Sequence, residues 1–320
     1  MAPGAEQLSE RLPERLPGRL SAKASEETCE RGCWAAPETL SAADAASLAR
    51  RLEELGYCRL WTGETFGRDP FALSAHLGAV TSTLRLASGI ANVYNRHPGV
   101  MKQGACTVAE QTGGRFTLGL GVSSPVIVNK IRGIPYDRPL SFLRSYLDAM
   151  DGARYTSVPP PAPVPVILAA LGPRMLELAA ERGDGAHPYN TTPEHTAFAR
   201  SVMGPEPQLC VEQKVMLTSD ARQARAVAAD VMKFYTRAPG YRACWKRLGF
   251  DDDDIDNLTD RFVDAMVVWG DADAIERRLA EHSDAGASEV CIQVLHPQHG
   301  LAAIDHDALA ALAPRNRAQK

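Results

Sequence analysis

The chain has 320 residues, a formal net charge of −4 and 45% hydrophobic residues. That length holds one large domain with a full core or two smaller ones, and the mildly acidic balance leaves no footprint for nucleic acid or an anionic membrane surface. No run is long or apolar enough to span a bilayer, and HExxH, P-loop and GxSxG patterns are absent.

Residues 1–28 combine repeated prolines with mixed charge and lack an apolar h-region, so they read as a mobile tail rather than a secretory signal. A membrane-surface helix over Leu8 to Leu20 would lose its period at Pro13 and Pro17. A single domain is expected over 29–320, with its first strand in RGCWAA near Arg31. SAADAASLARRLEELG follows as a helix, capped by Ser41 and stopped by Gly56. CRLWTGE is a buried strand ending in Glu64. A helix over Pro70 to Ser82, a strand over Arg85 to Val93 and a helix over Val100 to Gln111 come next, with Gly113 and Gly114 as breakers. RFTLGLGV is the fourth strand. Ser124 to Pro135 is a connecting segment, Pro139 to Met150 a helix, and VPPPAPVPV a stiff approach to the strand VILAAL.

Pro173 to Arg182 is helical, GAHPY a short strand, Pro193 to Met203 helical, and LCVEQKVML a strand. Asp220 caps an alanine-rich helix. A helical excursion is expected near 237–268, its DDDDID run placing carboxylates at a helix start, where the dipole favours them. A helix over Asp273 to Ala285, the strand EVCIQVLH and a closing segment over Leu301 to Leu312 complete the chain. Eight strands alternating with helices predict a parallel α/β sheet: a (β/α)8 TIM barrel with insertions, or a doubly wound sheet. Strands ending in small or polar residues, at Gly121–Ser124, Ala169–Gly172 and Asn92–Tyr94, point to one shared mouth at the C-terminal ends. The seven cysteines are scattered and odd in number, which suits reduced thiols in a cytoplasmic protein. Cys29 and Cys33 lie close together but lack the second pair a zinc site needs, so no metal site is expected.

Six stretches in order carry a family resemblance: LARRLEELGYCRLWTGE, SGIANVYNRHP, GGRFTLGLGVSSP, YDRPLSFLRSYLDAM, VPVILAALGPRMLELAAERGDGAHPYNTTPEHT and AGASEVCIQVL. Together they cover most of the chain from Ser41 to Leu295. The sequence resembles the luciferase-like monooxygenase class, and within it the actinobacterial oxidoreductases that use coenzyme F420, a deazaflavin. The resemblance implies a luciferase-like barrel, often a homodimer, with a flavin or deazaflavin across the mouth and a small-molecule substrate beside it.

It also implies site residues. Glu64 would lie near the cofactor ring; alternatively it is a salt-bridged loop residue, with Arg68 as partner. Several relatives carry a histidine next to it, where this chain has Thr65. Asn92, Val93 and Tyr94 would back the ring, where relatives often have a bulge or a cis peptide. Gly121, Val122 and Ser123 form the floor; Val122 stands where some deazaflavin sugar-phosphate dehydrogenases carry a glutamate, which argues against that oxidation. Ala169, Ala170, Leu171 and Gly172, leading to Arg174, offer a helix N-terminus and a cation to a ribityl phosphate, with Thr218 and Ser219 as the other place for it. His97 either caps its helix or faces the substrate. His187 and His296 end strands and are either structural or acid/base groups. The expected function is F420-dependent hydride transfer. FMN-dependent monooxygenation and a non-catalytic flavin-binding barrel are the other readings.

Overall fold

The computed structural model describes residues 29–37 and 40–314; the expected tail over 1–28 lies outside them. The first half of the chain runs β1 (Glu30–Ala35), α1 (Ala42–Glu54), β2 (Arg59–Thr62), α2 (Pro70–Ala79), β3 (Arg85–Ser88), β4 (Ala91–Asn92), α3 (Pro98–Gln111), β5 (Phe116–Gly121) and α4 (Pro139–Asp151). The second half runs β6 (Val166–Leu168), α5 (Pro173–Arg182), β7 (Gly185–Ala186), α6 (Pro193–Met203), β8 (Gln208–Leu217) and α7 (Ala221–Lys233). After these come α8 (Pro239–Arg247), α9 (Asp252–Asn257), α10 (Asp260–Met266), β9 (Val267–Gly270), α11 (Ala272–Asp284), β10 (Glu289–Val294) and α12 (His306–Ala311). Helices begin where the sequence supplies an acceptor for orphan backbone N–H groups: Ser41 for α1, Asp69 for α2, Asp220 for α7 and Asp271 for α11.

All strand pairs are parallel, and the sheet closes: β1 pairs with β2 and β10, and β10 pairs with β8. Eight strands make the barrel, β1, β2, β3, β5, β6, β7, β8 and β10, so the (β/α)8 expectation holds and the doubly wound alternative falls. The main apolar core lies between barrel and helices, where Leu48, Leu52, Leu60, Leu86, Met101, Phe116 and Leu176 are buried. A second core joins the top of β8 to α7, α8, α9 and α10 through Met216, Met232, Trp245, Ile255, Phe262 and Met266.

Three details differ from the sequence reading. The third strand is not continuous to Val93: β3 and β4 both pair with β5, interrupted around a cis Gly89–Ile90 peptide. Val126–Ile131, expected as connecting segment, is a π-helical turn. The excursion ends in a strand: β9 pairs with Lys214–Leu217, filling the side of β8 that the two-residue β7 leaves open above Leu209.

The barrel interior is unusual in its chemistry. Instead of aliphatic layers it encloses an Arg59–Glu289 ion pair at 2.8 Å, and Trp61 donates its indole N–H to the same Glu289 carboxylate at 2.8 Å. Gly119 lets β5 approach β3, since a Cβ there would stand 1.9 Å from the Ser88 carbonyl oxygen. Among the described residues no helix is long and apolar enough to cross a membrane.

Candidate active site

The end of the third strand is held by a charged post. Glu64 accepts the Asn92 backbone N–H at 2.8 Å and both its oxygens take Arg96 Nη1, at 2.6 and 2.8 Å. Arg96 also pairs with Asp69. The partner is therefore Arg96 and not Arg68, which donates to the Leu40 carbonyl instead. With both oxygens committed, Glu64 fixes the β4 backbone at the C-terminal end of the third strand. Asn92 accepts the Tyr94 N–H through Oδ1, while its Nδ2 is buried without a partner. Val93 is buried, and Tyr94 stacks on Phe142 with centroids 4.5 Å apart. His97 caps α3, accepting the Gly99 N–H through Nδ1, so the capping alternative describes its resting contact. It opens on a groove of about 670 Å³ shared with Tyr94, Arg96, Asp137, Phe142 and Tyr146.

His187 lies deeper. Its ring stacks on Trp61 at 4.2 Å and 1°, and its Nδ1–H donates to the Cys210 carbonyl at 2.8 Å. Burial, with help from the Arg59 and Lys214 charges, pulls its pKa down to about 4. The imidazole is thus neutral, with a buried, unpartnered Nε2. Glu64, His97 and His187 each have separate partners, so the structure does not assemble them into one catalytic group. His296 follows β10 and bridges to Gly300 in a turn.

The ends of β5 and β6 meet. The Ala169 N–H donates to the Leu120 carbonyl at 2.8 Å, and a Cβ on Gly121 would stand 2.9 Å from that of Ala169. Val122 is half-buried, Ser123 is exposed with φ 56°, and Ala170 is buried. Gly172 is the N-cap of α5 and supplies no side-chain cap; its φ of −103° needs no glycine. Arg174 is exposed on the first turn of the same helix, and Arg247 of α8 donates to the Leu171 carbonyl at 3.0 Å. Next to this turn α6 also starts uncapped, at Thr192. His195 joins the two, contacting the Leu171 carbonyl through Nε2 at 2.9 Å. Around it the Asn190 Nδ2, Thr191 Oγ1 and His195 Nδ1 atoms are buried without partners. His195 Nε2 must donate to the Leu171 carbonyl, so its Nδ1 is an acceptor, and the donors are the Asn190 Nδ2 and the Thr191 hydroxyl. With two helix starts that lack an N-cap side chain, the second carrying Glu194 in its first turn, they form the candidate anion cradle. Asn190 and Thr191 were not singled out from the sequence; the signal was NTTP ahead of a helix, which reads equally well as ordinary capping.

The remaining wall was also missed. Lys214 of β8 is buried, pairing with Glu212 at 3.1 Å and donating to Asn190 Oδ1 at 2.5 Å. Asn190 sits at φ 56°, its N–H on Glu212 at 3.0 Å and its carbonyl held by the Trp245 indole N–H at 2.9 Å. Tyr189 stands at the mouth against Trp34, with centroids 5.4 Å apart, and Trp34 donates to the Gly89 carbonyl at 3.2 Å. Residues from the first, third, sixth and seventh barrel strands therefore converge at one end.

A sequence model of the luciferase-like monooxygenase family matches residues 25–289. The chain belongs to this family. A Mycobacterium tuberculosis relative that carries the provisional name coenzyme F420-dependent oxidoreductase is 24% identical, covering 82% of this chain and 92% of its own. The 5,10-methylenetetrahydromethanopterin reductase of Archaeoglobus fulgidus is 23% identical over 74% of this chain and 85% of its own. Among solved structures, an F420-dependent secondary alcohol dehydrogenase in complex with an F420-acetone adduct has a TM-score of 0.70 at 14% identity, covering 89% of this chain and 97% of its own. An oxygenating type II Baeyer-Villiger monooxygenase from Pseudomonas putida, in complex with FMN, has a TM-score of 0.63 at 14% identity, covering 83% and 92%. The luciferase-like barrel thus accommodates both cofactor types, and the likeness to these structures speaks for the fold.

Proposed function

We propose that the chain is a coenzyme F420-dependent oxidoreductase that moves a hydride between the deazaflavin and a small organic substrate. The observation that carries the reading is the anion cradle: uncapped α5 and α6 starts at Gly172 and Thr192, flanked by the unpartnered Asn190 Nδ2 and Thr191 hydroxyl. A ribityl phosphate fits that donor set, because backbone N–H groups and a hydroxyl satisfy its oxygens while the helix dipoles favour its charge. Arg174 would add a charge-assisted hydrogen bond. The choice of deazaflavin over FMN is supported by the name of the Mycobacterium tuberculosis relative, which carries coenzyme F420.

When bound, reduced F420 supplies a two-electron hydride and reacts poorly with oxygen. The chain's part is placement. Glu64 and Arg96 hold the β4 backbone, and the small residues Gly121 and Ala169 keep the floor low. Trp34 and Tyr94 give the mouth aromatic flanks. We place the protein in the cytoplasm as a homodimer, in keeping with reduced cysteines and the family resemblance.

The test is anaerobic oxidation of reduced F420 over a panel of ketones, aldehydes and enones. Turnover there supports the reading. Turnover only with reduced FMN, accompanied by oxygen consumption, replaces it with monooxygenation; binding without any turnover replaces it with a non-catalytic role.

A further inference from the structure

Above the barrel floor lies a chain of hydroxyls aimed at the mouth. Tyr189 donates its O–H to Gln293 Oε1 at 2.7 Å, and its oxygen is 3.0 Å from the Tyr235 hydroxyl. Gln293 Oε1 can only accept, so the proton order runs from Tyr235 to Tyr189 to Gln293. Tyr189 is partly open beside Trp34, while Tyr235 lies at the end of α7 next to Phe234, which is 58% exposed. The relay thus has one end in the mouth and the other near solvent.

The surroundings are costly to build. The Lys214 ammonium sits 3.8 Å from the Tyr189 ring centroid and 5.4 Å from that of Tyr235, although the residue is only 1% exposed. Glu212 balances its charge, and Asn190 Oδ1 accepts a hydrogen bond from it. A buried ion pair under two tyrosines adds little to stability. It does place a cation where negative charge on a phenol oxygen would need it. Gln293 adds a second sign: its Nε2 is buried without a partner. Glu212 and Tyr241 also face the pair, and burial first, then these neighbours, keeps Tyr189 protonated through the whole working range.

We infer that Tyr189 is the proton donor to the substrate oxygen, that Tyr235 refills it, and that the substrates are carbonyl compounds. This rests on the hydride-transfer reading above. In the reducing direction a hydride from reduced deazaflavin adds to the carbonyl carbon, and the C=O π pair moves onto oxygen. That oxygen takes the Tyr189 proton, Tyr189 oxygen takes the Tyr235 proton, and solvent restores Tyr235. The substrate gains two electrons and two hydrogens, and the deazaflavin is left oxidised. In the resting protein the Tyr189 hydroxyl hydrogen is directed at Gln293 Oε1. Rotation about one C–O bond turns it towards a ligand in the mouth, so no backbone movement is needed. Lys214 acts as a positioning residue that stabilises the transient phenolate.

The test compares the parent with Tyr189→Phe and Tyr235→Phe, which remove one oxygen each and are checked for folding by circular dichroism. With reduced F420 and a carbonyl substrate, Tyr189→Phe is expected to lower kcat by about 10²- to 10⁴-fold, with KM little changed. Tyr235→Phe should lower it less, and raise the solvent isotope effect. A second readout needs no cofactor: p-nitrophenol, whose phenolate mimics the developing alkoxide, is titrated into the apoprotein and followed by its absorbance. The parent should bind it, and Tyr189→Phe at least about tenfold more weakly, as expected for loss of a hydrogen bond to a charged group. Equal kcat and equal p-nitrophenol affinity in Tyr189→Phe and the parent overturn the inference while leaving F420 turnover intact. A parent that binds no p-nitrophenol overturns it as well. A parent that binds no F420 removes the proposed function, and the p-nitrophenol comparison then still decides whether Tyr189 is an oxyanion donor.

Discussion

Gly172 carries no side chain, yet the protein barely uses the space: a Cβ there would meet only Arg247 Nη2, at 3.8 Å. Gly119 is the opposite case, with the Ser88 carbonyl oxygen 1.9 Å from the Cβ position. Gly172→Val should therefore fold with a nearly unchanged melting temperature and lose affinity for a phosphate-bearing cofactor. Gly119→Ala should cost about 1–3 kcal/mol by overpacking, read as a fall in the denaturant midpoint. If Gly172→Val binds cofactor as well as the parent, the phosphate does not lie on this turn, and Thr218 and Ser219 become the place to look. The AALGP turn was legible because small residues ahead of a helix have a direct physical meaning. Arg247 at the same turn was not, since nothing local ties it to a residue 76 positions earlier. The same applies to Glu64: its acidic character was readable, but its choice of Arg96 depends on how β2 and β4 are brought together.

At the scale of elements, all eight barrel strands were visible as apolar runs between turn signals. β9 was not, because the four residues VVWG follow α10 directly and only find a partner along the upper half of β8, beyond its short pairing with β7. β8 itself misleads for a physical reason. Its alternation puts Cys210, Glu212 and Lys214 on one face, a pattern that ordinarily faces water, but here that face lines the barrel interior and the mouth. The polar wall was therefore hidden in the sequence. Lys214→Met, which leaves Glu212 buried and unpaired, should destabilise the fold by about 3–5 kcal/mol. The double variant with Glu212→Gln should recover part of that loss, because no buried charge remains. Urea denaturation of the three proteins checks this; equal stability of the single and double variants would show that the pair is not coupled.

For the whole molecule, two buried imidazoles set the acid limit. Burial pulls His187 down to about 4 and His282 to about 3, the latter between Thr196 and Gln213. In the unfolded chain both titrate near 6.5. Between those values the unfolded chain binds more protons, so stability rises with pH there. It is complete above about 6.5 and is lost as pH falls towards 4 and then 3, at up to about 1.4 kcal/mol per unit for each group. Melting temperatures between pH 7 and pH 4 should fall steadily, and His282→Asn should flatten the curve. The homodimer is a second proposal at this scale. Phe66, Val100 and Ile131 are exposed large apolar residues, and light scattering at micromolar concentration should give twice the 34.6 kDa chain mass; a monomer mass would end the proposal.

The central claim is that the mouth takes a deazaflavin through the cradle at Gly172, Asn190 and Thr191. Fluorescence titration of the purified protein with oxidised F420 and, separately, with FMN tests it most directly, using Thr191→Val alongside the parent. The account predicts saturable F420 binding tighter than FMN binding, weakened in Thr191→Val by about 5- to 10-fold, as expected for one hydrogen bond of about 1 kcal/mol or somewhat more. FMN binding tighter than F420 binding, or F420 affinity equal in Thr191→Val and the parent, would contradict it.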